Sequence, residues 1–219
     1  MYKLLIFDWD GTIIDSASRI ISSMRAAARD WDFPVPSDEQ VRNIIGLGMP
    51  EAIRELIPGV SDEGIESMRA QYGHYYLGED NTPTPLFPGV QHSLESMHKK
   101  NMRMAVATGK SRRGLKRVFA QTGLGYIFET SRCADETTSK PHPHMLEEIL
   151  AETGVSASEA VMIGDTEFDL DMGRRAGMDV IAMSYGAHSL ERLQSYDPVL
   201  EVHNFIELEN WLEKQGVFA

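Results

Sequence analysis

Apolar positions in this chain follow two periods, and the change from one to the other predicts most of its organisation. The run from Leu4 to Trp9 is continuously apolar apart from Asp8, the pattern of a strand buried on both faces of a parallel sheet. Beyond "DGT" the period becomes helical: Ile20, Met24, Ala27, Ala28 and Trp31 recur on one face, with Asp15 or Ser16 available as the N-cap. Through about residue 82 the segments "RIISSMRAAARDW", "DEQVRNII", "PEAIRELI" and "DEGIESMRAQYGHYYL" predict helices separated by Pro and Gly, with no convincing strand among them. From "NTPTPLFPGV" onward, helical segments alternate with the short apolar runs "MRMAVAT", "YIFET", "AVMIG", "DVIAMS" and "PVLEV". Such alternation implies right-handed βαβ units and a parallel sheet covered on both faces. The expectation is an α/β core of residues 1–15 and 83–219, interrupted by a helical insertion over 16–82, with "DSAS" and "TPTPLFP" as hinges.

One stretch is ambiguous on local grounds. Asp-Gly between the apolar runs of "FDWDGTII" is a strong hairpin signal, because a type I′ turn needs positive φ at both central residues. A hairpin, however, would leave only "TIID" for its second strand before the helical period begins. The alternative is a strand exit that carries two carboxylates, Asp8 and Asp10.

Ligands of open parallel sheets sit beyond the carboxyl ends of the strands, and here those positions are polar. Asp8 and Asp10 follow the first run, Thr108 and Gly109 follow the second, and Asp165 and Asp169 in "GDTEFD" follow "AVMI". Lys140 precedes Pro141, which is expected to fix an extended Lys140 and to start a helix at its own position. Each piece has a plain alternative: a helix cap at Asp165 or Thr166, a turn at Thr108-Gly109, a solvated lysine. Gathered at one sheet edge, four carboxylates, a lysine and a hydroxyl would instead suit Mg²⁺ and phosphate oxygens.

Those residues, in that order, resemble the four motifs of the haloacid dehalogenase superfamily, in particular its phosphatases with a helical cap inserted after the first strand, the phosphoglycolate phosphatases among them. The first motif matches Asp8-Trp9-Asp10-Gly11-Thr12, the second Thr108, the third Lys140 before Pro141, and the fourth "GDTEFD". Gly173 stands where relatives commonly carry Ala. The resemblance implies a Rossmann-like core with a cap over the site, and an aspartyl-phosphate mechanism. Asp8 would be the nucleophile, Asp10 the acid and then the base, and Thr108, Gly109 and Lys140 the groups that hold phosphoryl oxygens. Mg²⁺ would be held by Asp8, the Asp10 carbonyl and Asp165, with Asp169 in support. In the insertion, "NIIGLGMPEAI" is the candidate substrate loop, with Gly46 and Gly48 allowing close backbone approach and Arg42 within reach of an anionic group; the alternative is a plain helix–helix loop with a solvated arginine.

Charge and composition narrow the partners. With 21 Lys+Arg against 33 Asp+Glu the formal net charge is -12, which disfavours nucleic acid and anionic membrane. "KSRRGLKR" is the one basic segment and is expected to be a solvated helix face, and His142 and His144 an exposed pair rather than a metal site. A single cysteine, Cys133, and the absence of a basic leader or long apolar run point to a cytoplasmic protein, a monomer or homodimer. The expected partner is a small phosphorylated metabolite, with 2-phosphoglycolate the first guess. A β-phosphoglucomutase-like phosphomutase and a catalytically silent binding protein are the alternatives. A Schiff-base hydrolase is disfavoured because residues 16–82 contain no lysine.

Overall fold

The computed structural model describes residues 1–31 and 33–217. Six strands form one parallel sheet: β1 (Leu4–Phe7), β2 (Arg103–Thr108), β3 (Thr130–Cys133), β4 (Ala160–Gly164), β5 (Asp179–Met183) and β6 (Leu200–Val202), in the order β3-β2-β1-β4-β5-β6. The order reverses between β1 and β4, and that reversal opens a crevice beyond their carboxyl ends. Alternation along β1 explains the continuous apolar run: Leu5 and Phe7 join one buried layer, and Leu4 and Ile6 the layer on the opposite face. Among the helices covering these faces are α5 (Val90–Lys99), α6 (Arg112–Thr122) and α10 (Phe205–Lys214) on the first, and α7 (His144–Thr153), α8 (Glu167–Arg175) and α9 (Leu190–Gln194) on the second.

Between β1 and β2 the chain forms α1 (Ala17–Asp30), α2 (Asp38–Asn43), α3 (Met49–Leu56), α4 (Asp62–His74) and a π-helical turn, Tyr75–Glu79. These elements share a buried cluster of their own, which includes Met24, Val41, Ile53 and Met68. The chain enters and leaves the insertion side by side: Ile14 bridges Leu86, Asp15 N–H donates to the Pro85 carbonyl at 2.8 Å, and Phe87 N–H to the Ile13 carbonyl at 3.1 Å.

Three sequence expectations are corrected in detail. The Asp-Gly does turn, with Gly11 at φ +83° and its N–H donating to the Ile14 carbonyl at 2.9 Å, but the turn follows a strand exit and no second hairpin strand pairs with β1. "YIFET" is not one strand: Gly125–Ile127 is a 3₁₀ turn and β3 starts at Thr130. Helix α7 begins at His144 rather than at Pro141, because the chain first turns through residues 140–143, where His142 N–H donates to the Ser139 carbonyl at 3.1 Å and the Lys140–Pro141 peptide is cis. No helix among the described residues is long and apolar enough to cross a membrane.

Candidate active site

Asp8 is the first residue past β1 and Asp165 the first past β4, so the two flank the crevice at the sheet's reversal. Asp169 lies one turn into α8. The carboxylates of Asp8, Asp165 and Asp169 offer ligand oxygens all within 4.8 Å of one another, and each residue is buried. Lys140, itself 1 % exposed, donates from Nζ to Asp8 Oδ1 and to Asp169 Oδ1, both at 2.6 Å. One ammonium facing three carboxylates leaves an excess of negative charge out of reach of water, which is expensive unless a cation enters or protons bind. Accordingly burial, with the neighbouring carboxylates, raises the Asp8 carboxyl well above its ordinary range and pushes Asp165 up to about 7. The donor set is all oxygen, and Asp8 Oδ2 is buried with no hydrogen-bond partner among the described residues. Both features fit a hard divalent cation.

The remaining carboxylate oxygens are pinned. Thr12 Oγ1 donates to Asp165 Oδ1 at 2.6 Å and Ala187 N–H to Asp165 Oδ2 at 2.7 Å. Asp169 Oδ2 accepts from the Thr166 N–H at 3.0 Å and its hydroxyl at 2.7 Å, so one carboxylate both caps α8 and holds Lys140. The cap and the site are therefore the same structure. Glycines make this density possible: a Cβ on Gly11 would lie 2.1 Å from Asp165 Oδ2, and one on Gly186 2.2 Å from the same oxygen. Gly173 serves packing alone, since a Cβ there would meet Val180 Cγ1 at 2.4 Å.

Asp10 belongs to a second constellation. Its carboxylate accepts from Ser16 Oγ at 2.6 Å and from Lys110 Nζ at 2.8 Å to each oxygen. Ser16 occupies the N-cap position of α1 but makes no capping bond, because its hydroxyl is committed to Asp10. Burial opposes the Lys110 charge, yet Asp10 and Tyr76 outweigh burial and raise its pKa. Asp8 and Asp10 open onto one cavity of about 660 Å³, whose lining also includes Gly109 and Gly46. Thr108 lies beneath it, fully buried, its Oγ1 accepting from the Lys110 N–H at 3.2 Å.

The insertion closes the cavity through its glycine loop. Gly48 N–H donates to Ser139 Oγ at 2.8 Å, and a Cβ on Gly109 would lie 2.6 Å from the carbonyls of Gly46 and Leu47. Gly46, at φ +103°, has Thr166 Oγ1 3.0 Å from the position of a Cβ. A third contact joins Asn43 to His188 and Arg192: Glu167 N–H donates to His188 Nδ1 at 3.1 Å, leaving Nε2 to donate to the Asn43 carbonyl at 3.3 Å, while Arg192 Nη1 donates to Asn43 Oδ1 at 3.0 Å.

Arg42 is elsewhere. In α2 the neighbouring Val41 turns inward, and Arg42 is exposed, beside a separate cavity of about 250 Å³ with Gly11 and Tyr185. The basic segment is also corrected: Lys110 is a largely enclosed partner of Asp10, not part of a solvated face, and its place two residues past Thr108 was the available signal. Ser16, Tyr76 and Arg19 carried no motif and are legible only in three dimensions. His142 and His144 stand outside the acidic cluster, and His144 Nε2 lies 3.3 Å from Glu148.

The family model for haloacid dehalogenase-like hydrolases matches residues 5–183. "Probable phosphatase IndB" of Dickeya dadantii is 32 % identical over 95 % of this chain and 92 % of its own length, and a phosphoglycolate phosphatase of Vibrio parahaemolyticus is 27 % identical over 94 % of each. A crystal structure of a hydrolase from Pseudomonas syringae superposes with a TM-score of 0.87 at 20 % identity, over 97 % of this chain and 98 % of that one, a likeness of fold. The chain belongs to the haloacid dehalogenase-like hydrolases. Within them it is a phosphoric monoester hydrolase, as its phosphatase relatives along nearly the whole length indicate.

Proposed function

We propose that this phosphatase is Mg²⁺-dependent and hydrolyses a phosphorylated metabolite through an aspartyl-phosphate intermediate formed on Asp8. The observation that carries the reading is the pairing of Asp8 with Asp10 on one cavity, with Asp8 alone of the two tied to Lys140 and the buried acidic cluster.

Asp8 attacks phosphorus as the ester P–O bond breaks, and Asp10 gives its proton to the departing alkoxide. In the second half Asp10 takes a proton from the water that attacks the Asp8 phosphoryl group, and the bond from phosphorus to Asp8 breaks. Lys140 offsets negative charge at the Asp8 carboxylate, and the Gly109 N–H, with the Thr108 hydroxyl behind it, donates to phosphoryl oxygens. Lys110 and Ser16 orient the Asp10 carboxylate. Asp8, Asp165 and the Asp10 carbonyl, with Asp169 alongside, would hold Mg²⁺, which would supply positive charge to the phosphoryl oxygens. The helical insertion acts as a lid that excludes water during the transfer.

The test is a phosphatase assay on p-nitrophenyl phosphate and a metabolite panel that includes 2-phosphoglycolate, with Mg²⁺ and with excess chelator. Turnover only with metal, together with an acid-stable, hydroxylamine-labile phosphoenzyme, is expected. Full activity in chelator, or a phosphoenzyme that persists in Asp8→Asn, would overturn the reading.

A further inference from the structure

The cavity's walls divide by chemistry. Its floor is the hydrolytic edge, Asp8, Asp10 and Gly109, while the insertion contributes Ile20, Met24, Ile44 and Met49. Beside this apolar wall Tyr72 and Tyr76 stack, with centroids 5.4 Å apart and planes at 27°. Two cations lie over the Tyr76 ring: Lys110 Nζ at 5.1 Å from the ring centroid and Arg19 Cζ at 5.7 Å.

The two cations are not equivalent. Lys110 is saturated by Asp10 and by the Tyr76 hydroxyl, 3.3 Å away. Arg19 has no carboxylate within ion-pair distance among the described residues, and its Nε is buried without a hydrogen-bond partner. A buried guanidinium nitrogen left unpaired is costly, and such groups in native structures call for an explanation. The setting adds to this. On a chain of net charge -12, Asp8 and Asp10 are the only carboxylates lining the cavity among the described residues, whereas Arg19, Arg69, Lys110, Arg113 and Arg117 all line it.

Size points the same way. At about 660 Å³ the cavity falls in the range that encloses drug-sized ligands, roughly 300–1,000 Å³. A two-carbon acid phosphate held at Asp8 would leave the apolar wall of the insertion facing water, against the ordinary gain of burying it.

Building on the phosphatase reading, we infer that the substrate is a phosphomonoester with a ring-sized, largely apolar body that fills the insertion's half of the cavity, and that its far end presents an oxygen acceptor to Arg19. Arg19 is thus a specificity-determining residue, its guanidinium held on the Tyr76 face and its forked donors free for a planar carboxylate, carbonyl or second phosphate. The substrate's length is read between two fixed points, the nucleophile and this arginine.

The experiment measures kcat and KM with Mg²⁺ for 2-phosphoglycolate, benzyl phosphate, and 3- and 4-carboxybenzyl phosphate, in the wild-type chain, Arg19→Ala and Arg19→Lys. Benzyl phosphate is expected to exceed 2-phosphoglycolate in kcat/KM by about tenfold or more. One carboxybenzyl isomer should be preferred over benzyl phosphate by about 10–100-fold, mostly through KM, the scale of a charge-assisted hydrogen bond. Arg19→Ala should bring that preference to about one, and Arg19→Lys should restore part of it. Each preference is a ratio taken within one preparation, so loss of folded protein in a variant cancels. A carboxyl preference of equal size in Arg19→Ala, its absence from the wild type, or 2-phosphoglycolate as the better substrate would overturn the inference. Failure on every phosphomonoester, p-nitrophenyl phosphate included, would instead overturn the phosphatase reading.

Discussion

The floor of the cavity and its roof are built on opposite plans. At the floor, five of the six carboxylate oxygens of Asp8, Asp165 and Asp169 accept hydrogen bonds, from Lys140, from the Thr12 and Thr166 hydroxyls and from the Ala187 and Thr166 N–H groups, and glycines bring backbone against them closer than any side chain would permit. The roof is a wall of flexible apolar side chains, a stacked tyrosine pair and one arginine whose donors are unspent. Saturated geometry suits a reaction that is the same for every substrate, because charge must be met at fixed positions as it develops. An adaptable wall suits discrimination, where the outcome depends on which body fills it.

The sharpest break in this comparison is at the floor. Asp8→Asn should reduce multiple turnover to background while the chain stays folded, since it removes a buried negative charge and keeps the shape; substantial steady-state turnover would contradict the nucleophile assignment. Asp10→Ala should slow phosphoenzyme formation from alkyl phosphates by about 10²–10⁴-fold and spare p-nitrophenyl phosphate by comparison, because that leaving group departs without a proton. Rapid-quench measurement on both substrates, with Mg²⁺ affinity followed in the same variant, separates an acid from a turn residue. Lys110→Met should cost about 10–100-fold in kcat/KM, the scale of a hydrogen bond to a charged group. An effect below threefold would return Lys110 to the surface role its sequence suggested.

Two smaller effects sharpen the contrast. Gly11→Ala and Gly123→Ala both force a side chain onto left-handed backbone, at φ +83° and +71°, but only the first drives a Cβ into Asp165; Gly123 has nothing within 4 Å. Left-handed strain of about 1–2 kcal/mol is common to both. Overpacking should add about 1–3 kcal/mol to Gly11→Ala alone, seen as a lower Tm by several degrees more than in Gly123→Ala. Equal shifts would mean the carboxylate can yield. The last prediction concerns pH. Asp165 is raised from its ordinary value to about 7, so between these limits the folded chain binds more protons than the unfolded one, and stability falls as pH rises through that window. In excess chelator the unfolding midpoint should drop between pH 4 and 7, and Asp165→Asn should flatten the drop; an unchanged slope in that variant would exclude Asp165 as its source.

What could be read from the sequence follows the same division. The floor was legible because Asp8, Thr108 and Asp165 are short polar types at strand ends, where period and chemistry change together, while Asp169 one turn into α8 and Lys140 before Pro141 follow them at recognisable spacing. The sheet's strands were legible through continuous apolar runs, with "YIFET" misjudged because Ile127 and Phe128 are buried by a 3₁₀ turn rather than by strand pairing. The roof was not legible. Arg42 and Arg19 are alike as sequence, each a cation near helical apolar positions, and only the angle of each helix against the core decides that Arg19 lines the larger cavity while Arg42 faces solvent. Ser16 hid for another reason. A serine before a helix reads as a cap, and nothing local tells that its hydroxyl is spent on Asp10.

The paired connections at residues 13–15 and 85–87 have a consequence of another kind. Because the insertion leaves the core where it entered, bonds between the neighbouring segments tie the chain after β1 to the chain before α5 without help from what lies between them. The insertion is in this sense a graft. Exchange of the helical segment is therefore expected to change selectivity while the sheet stays as it is, provided the new segment also supplies the partners that Ser16 and Tyr76 give to Asp10 and Lys110.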